Sequence, residues 1–183
     1  MKKTNLFLLV LVAFIFCALT ADAASIPKMP WPINSKSINL AFGAPWPYET
    51  HCTELDWYHT GIDIKASAGT KVYATESGTV KVSQSSNSNW KEWITIEHKD
   101  SKGNKFTTCY WHLQKREVSV GKTVTKGQII GYVADMGSNT HFHYGIRNAA
   151  YSNTSNNGGL PKTACTGYPA YYESFVNPLN YLQ

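Results

Sequence analysis

The sequence predicts a mainly β protein, a single domain built on an antiparallel sheet or sandwich. Two observations predict it. From residue 59 onward, short runs rich in β-branched and aromatic residues recur between glycines and polar turn residues, and none of them carries a helical apolar period. Residues 24–50, by contrast, hold five of the eight prolines, with Trp31, Phe42 and Trp46 among them, and read as an extended segment wrapping the domain.

The elements follow in order. Lys2 and Lys3 precede an apolar run from Leu6 to Leu19, and Ala21-Asp22-Ala23 sets small residues at the two positions a signal peptidase reads, so residues 1–23 read as a secretory signal peptide. The run falls short of the ~20 residues that span a bilayer, and no stable membrane insertion is expected. The bulky Phe16 argues against lipoprotein processing at Cys17. Strand-like runs then cover Gly61 to Ile64, Lys71 to Ala74, Gly78 to Val82, Trp93 to Ile96, Phe106 to Trp111 and Gln128 to Val133. Residues 151–170 turn rich in Ser, Asn, Gly and Pro and predict a surface-loop insertion, after which Phe175 to Leu182 reads as a docked tail. The division is a leader (1–23), an extended segment (24–50) and one folded domain (51–183).

The formal net charge is +5, from 17 basic and 12 acidic residues without any long basic block, which excludes a dedicated nucleic-acid binder and suits an anionic surface or polymer. Removing the leader leaves Cys52, Cys109 and Cys165, one of which must stay unpaired in a monomer. Cys109 lies inside a strand-like run, where a cysteine packs as a small buried hydrophobe. Cys52 and Cys165 lie in polar, turn-rich segments of an exported chain and are the expected disulfide. No Cys-x-x-Cys spacing supports a thiolate metal site.

The histidines carry the chemistry. His59-Thr60-Gly61-Ile62-Asp63 offers an imidazole and a carboxylate four apart, and His141-Phe142-His143 offers two imidazoles that a strand would turn to one face. Neutral imidazole and carboxylate suit a borderline-soft divalent ion such as zinc. Three protein ligands would leave one position open for water, which marks a catalytic site rather than a structural one.

In chain order, His59 to Asp63, Gly69-Thr70-Lys71-Val72-Tyr73-Ala74, Gly78-Thr79-Val80, Tyr110-Trp111-His112-Leu113, Val124 to Gly131 and His141-Phe142-His143 resemble the lysostaphin-type (LytM-like) zinc metallopeptidases over about residues 40–182. Those are secreted peptidoglycan endopeptidases with a His-x-x-x-Asp and a later His-x-His motif. The resemblance implies that His59, Asp63 and His143 bind one zinc ion, and that His112 and His141 flank the water as general base and transition-state stabiliser. It also implies a β domain whose groove holds the metal and a peptidoglycan peptide as substrate. Tyr110 would share a strand face with His112 if that run is extended, making it a candidate oxyanion or groove residue. The chain departs from the family pattern at Gly137-Ser138-Asn139-Thr140, where a Ser-Thr-Gly-Pro-like turn is usual, and at Phe142, where Leu is usual.

Blander roles fit the other residues. His51 and His98 read as surface or satisfied core groups, while Trp57, Tyr58 and Trp111 suit either groove walls or packing. Glycine-spaced stretches around residues 69–82 and 121–133 also resemble halves of biotinyl and lipoyl carriers, but no lysine occupies an exposed hairpin tip between them. The expected protein is a secreted or periplasmic zinc endopeptidase, monomeric, acting on cell-wall cross-links; the alternative is a catalytically silent wall-binding or amidase-activating module of the same fold.

Overall fold

Because successive side chains of a strand point to opposite faces, the alternation in this sequence sorts its residues into a core face and a site face. The computed structural model describes residues 23–44, 59–85, 91–152 and 174–183. Among them, ten strands form one antiparallel sheet: β1 (Ile38–Leu40), β2 (Gly61–Lys65), β3 (Lys71–Tyr73), β4 (Gly78–Ser85), β5 (Glu92–Lys99), β6 (Lys105–Arg116), β7 (Thr123–Val124), β8 (Ile129–Val133), β9 (His141–Arg147) and β10 (Phe175–Val176). The order is β1-β2-β9-β6-β5-β4-β7, with β10 beside β9 and the β3–β8 pair joined to the end of β6. All six runs read from the sequence are strands; β1, β7 and β10, of two or three residues each, are too short to carry a period. The leader through residue 22, Cys52, Cys165 and residues 153–170 lie outside the described residues. No helix among the described residues is long and apolar enough to cross a membrane.

Ile62 and Ile64, Ile94 and Ile96, Phe106 and Tyr110, and Phe142, Tyr144 and Ile146 point to one face and are fully buried. They form one apolar cluster with Val72, Ile130, Val133, Met29, Ile33 and Leu182. Burial of such side chains stabilises by about 1.5–3 kcal/mol each, so register is fixed: a one-residue slip of β9 would exchange Phe142, Tyr144 and Ile146 for His141, His143 and Gly145. The N-terminal segment and the tail close this core. Met29 bridges Leu182, and the Met29 amide donates to the Tyr181 carbonyl at 2.8 Å.

Strand β6 changes partner part-way along. Its first half lies between β9 and β5, and its end pairs with β8. The change occurs at a bulge: Tyr110 pairs with Ile94 and Leu113 with Glu92, so Trp111 and His112 together oppose Trp93. His112 has φ +63°, a left-handed conformation that costs a residue with a Cβ about 1–2 kcal/mol.

Candidate metal centre

The other face of the sheet gathers the histidines. Asp63 of β2 pairs with His143 of β9, which pairs with Trp111 of β6, so three adjacent strands place these side chains in one row. His141 lies two residues before His143 on the same face, and His59 lies two residues before the start of β2. His59, Asp63, His112, His141 and His143 are all buried. His59 Nε2 lies 2.9 Å from His143 Nδ1 and 3.1 Å from Asp63 Oδ1, and His143 Nδ1 lies 3.1 Å from the same oxygen. His141 Nε2 is 3.4 Å from Asp63 Oδ2.

Hydrogen bonds around this cluster orient its rings. A carbonyl only accepts, so His59 Nδ1 donates to the Ala41 carbonyl at 3.0 Å, which turns Nε2 toward Asp63 and His143. His141 is fixed likewise, its Nδ1 donating to the Asn139 carbonyl at 2.6 Å. Burial alone would raise the Asp63 pKa, but hydrogen bonds and charge from His143 and His59 outweigh it and hold the carboxyl far below the ordinary range. Burial also lowers the His143 pKa, opposed by its bond to Asp63. Asp63 is therefore held as the carboxylate, the form in which it binds a metal.

The donor set fits a metal ion. His59, Asp63 and His143 each offer one ligand atom, and these atoms lie within 4.8 Å of one another. Zinc at about 2.0–2.1 Å from its ligands spaces the corners of its tetrahedron about 3.3 Å apart, close to the separations found here. Two imidazole nitrogens and a carboxylate are also the chemistry that zinc prefers.

The bulge brings in the fifth group. His112 sits edge-to-face on His141 with ring centroids 4.6 Å apart, and 6.3 Å from the His143 ring. Trp111 flanks both, at 5.6 Å from His143 and 6.4 Å from His112. The structure therefore brings together all five of His59, Asp63, His112, His141 and His143.

Tyr110 requires a correction. With β6 bulged at His112, the two residues do not share a face: Tyr110 pairs with Tyr144 and is fully buried in the core. Its hydroxyl accepts from the Thr75 amide at 3.0 Å and lies 3.0 Å from Thr75 Oγ1 and 3.1 Å from Thr108 Oγ1. It lines no groove. His98 ends the same polar chain, with Nε2 2.7 Å from Thr108 Oγ1 and Nδ1 donating to the Ser77 carbonyl at 2.9 Å. Cys109 is buried in β6, and burial pushes its thiol pKa up to about 12.

Gly61 escapes sequence reasoning as a site residue. A Cβ there would stand 2.3 Å from the Tyr144 carbonyl oxygen and 2.9 Å from His143 Cε1 and Nε2, so the His143 ring fills the space a side chain would take. Its place two residues before Asp63 is the only signal in the sequence. The backbone acceptors Ala41 and Asn139 carry none, since a carbonyl has no residue identity.

An antiparallel sheet with a His-Asp-His cluster and two further imidazoles on one face defines a candidate metal site. Residues 57–157 match peptidase family M23, and the chain belongs to that family. It is 36% identical over 88 residues to the peptidoglycan DD-endopeptidase ShyC of Vibrio cholerae, covering 47% of this chain and 19% of that protein. It is 31% identical over 112 residues to lysostaphin of Staphylococcus simulans, covering 60% and 22%. The chain thus spans about a fifth of the length of these curated relatives. Among solved structures, the lysostaphin catalytic domain of S. simulans matches with a TM-score of 0.54 at 25% identity, over 80% of this chain and 91% of that one. A zinc-containing peptidase from V. cholerae matches with a TM-score of 0.53 at 25% identity, over 68% and 39%.

Proposed function

We propose that this protein is a zinc-dependent metalloendopeptidase that hydrolyses peptide cross-links of bacterial peptidoglycan. The observation that carries the reading is the convergence of three buried donors, His59 Nε2, Asp63 Oδ1 and His143 Nδ1, with His112 and His141 on the same face. Family membership supports peptide hydrolysis, and the relatives named as peptidoglycan DD-endopeptidase and lysostaphin support the cell wall as substrate. The leader-like segment over 1–23 supports export, and the net positive charge favours an anionic envelope.

A zinc ion held by His59, Asp63 and His143 supplies a Lewis acid for the scissile carbonyl and lowers the pKa of a nearby water. The protein supplies the proton transfers. His141, its Nδ1 proton committed to Asn139, presents a basic Nε2 toward the cluster, and His112 stands beside it. Between them the two imidazoles take the water's proton, deliver it to the leaving amine and hydrogen-bond the developing oxyanion. Asp63, kept ionised, holds negative charge against the ring nitrogens.

Elemental analysis of the purified protein, paired with amino-group release from cell-wall sacculi before and after chelation, tests this. One zinc per chain with chelator-sensitive release is expected. His143→Ala should lose both zinc and hydrolysis, and His112→Ala only hydrolysis. A fully active His112→Ala protein overturns the assignment, and tight sacculus binding without zinc or cleavage establishes a binding module instead.

A further inference from the structure

We propose that the turn Ala41–Ala44 is a working part of the metal centre, a backbone clasp that sets the tautomer and direction of the His59 ring. This turn lies upstream of residues 57–157, the region that matches the family. It nonetheless takes up three polar groups of His59: the Gly43 amide donates to the His59 carbonyl at 2.8 Å, the His59 amide donates to the Ala44 carbonyl at 2.9 Å, and His59 Nδ1 donates to the Ala41 carbonyl at 3.0 Å. The inference rests on the reading of His59 as a metal ligand.

The chemistry gives this clasp its consequence. A neutral imidazole divides between two tautomers, and only the one protonated at Nδ1 presents a bare Nε2 to Asp63 and His143. Without a fixed acceptor, binding must also stop the rotation of a ring that precedes its strand. The Ala41 carbonyl removes both costs in advance, and such partners of metal-binding histidines are typically worth about 10–100-fold in affinity.

The clasp is itself anchored. Ile38 and Leu40 pair with β2, the Lys65 amide donates to the Ser37 carbonyl at 2.8 Å, and Met29 and Ile33 are buried in the core. The Ala44 amide closes the turn on the Ala41 carbonyl at 3.2 Å, and Gly43, its third residue, has φ +75°. A turn with positive φ at that position accepts Gly or Asn and strains a β-branched residue.

The test compares Gly43→Val with Gly43→Asn in the full chain, reading zinc affinity by competition with a chromogenic chelator and folding by circular dichroism. Gly43→Val should stay folded and bind zinc about 10–100-fold more weakly, with Gly43→Asn restoring affinity. Unchanged affinity in a folded Gly43→Val protein overturns the proposal. A second measurement needs no variant: nitrogen-15 NMR of the wild type should find the His59 proton on Nδ1, protected from solvent exchange, and a proton on Nε2 overturns the proposal even if Gly43→Val fails to fold. A wild type that binds no zinc at all refutes the ligand reading instead, and the clasp's role falls with it.

Discussion

The left-handed backbone at His112 makes a prediction with an unusual sign. Replacing His112 with Ala or with Gly removes the same imidazole and the same contact with His141, so the difference between the two variants isolates the backbone. In an ordinary extended strand the Ala variant is the more stable by roughly 0.5–1 kcal/mol, because Gly loses more freedom on folding. At φ +63° the Cβ itself costs about 1–2 kcal/mol, which Gly escapes, so the balance reverses to about 1 kcal/mol in favour of Gly. Urea unfolding of the two metal-free variants with equal slopes measures this, and the reversal corresponds to about 2–4 °C in Tm for a domain of this size. Both variants should retain zinc and lose hydrolysis. If His112→Ala is the more stable of the two, the residue is extended, its ring points with Tyr110 into the core, and the two-histidine mechanism loses its second member.

Two further outcomes follow from buried contacts. Gly61→Ala sets a Cβ 2.3 Å from the Tyr144 oxygen and against the His143 ring, so it should cost about 1–3 kcal/mol and weaken zinc binding; wild-type zinc affinity would show that His143 needs no such space. Burial holds His98 down to a pKa of about 4, against the upward pull of its bond to Ser77 and of Glu76 and Glu97. Above its unfolded pKa of about 6.5 both states are neutral and the full stability is present; as pH falls from there toward 4 only the unfolded chain gains the proton, and about 3 kcal/mol is lost. His98→Gln should flatten that part of the stability-versus-pH curve, and parallel curves for the two proteins would refute the assignment.

Much of the site is legible because it follows from alternation. His141 and His143, two apart, announce a shared face before any contact is known, and the structure sets Asp63 opposite His143. The runs behind β2 to β6 and β8 are equally visible, since each is rich in β-branched and aromatic residues and lies between glycines and turn residues. The clasp at Ala41 and the short strands β1, β7 and β10 are not legible, because backbone acceptors and two-residue pairings leave no pattern in side-chain types. Tyr110 fails for a sharper reason: alternation is the right rule applied one residue too far.

That failure shows how His112 reaches the other histidines. In β6, Tyr110 is committed to the core by its pairing with Tyr144 and its bonds to Thr75, and Trp111 is committed to the site face by its pairing with His143. Strict alternation would then return the next residue to the core side, away from His141. For an imidazole at position 112 to reach the site face, parity must break between Trp111 and His112, and an extra residue opposite Trp93 with a left-handed φ is the smallest change that breaks it. Lengthening the turn ahead of β9 could not achieve this, because it would shift His141 and His143 together and leave both faces as they were. The strain at His112 is therefore tied to the presence of two imidazoles beside the His59-Asp63-His143 cluster: a regular β6 would gain stability and put His112 on the other side of the sheet.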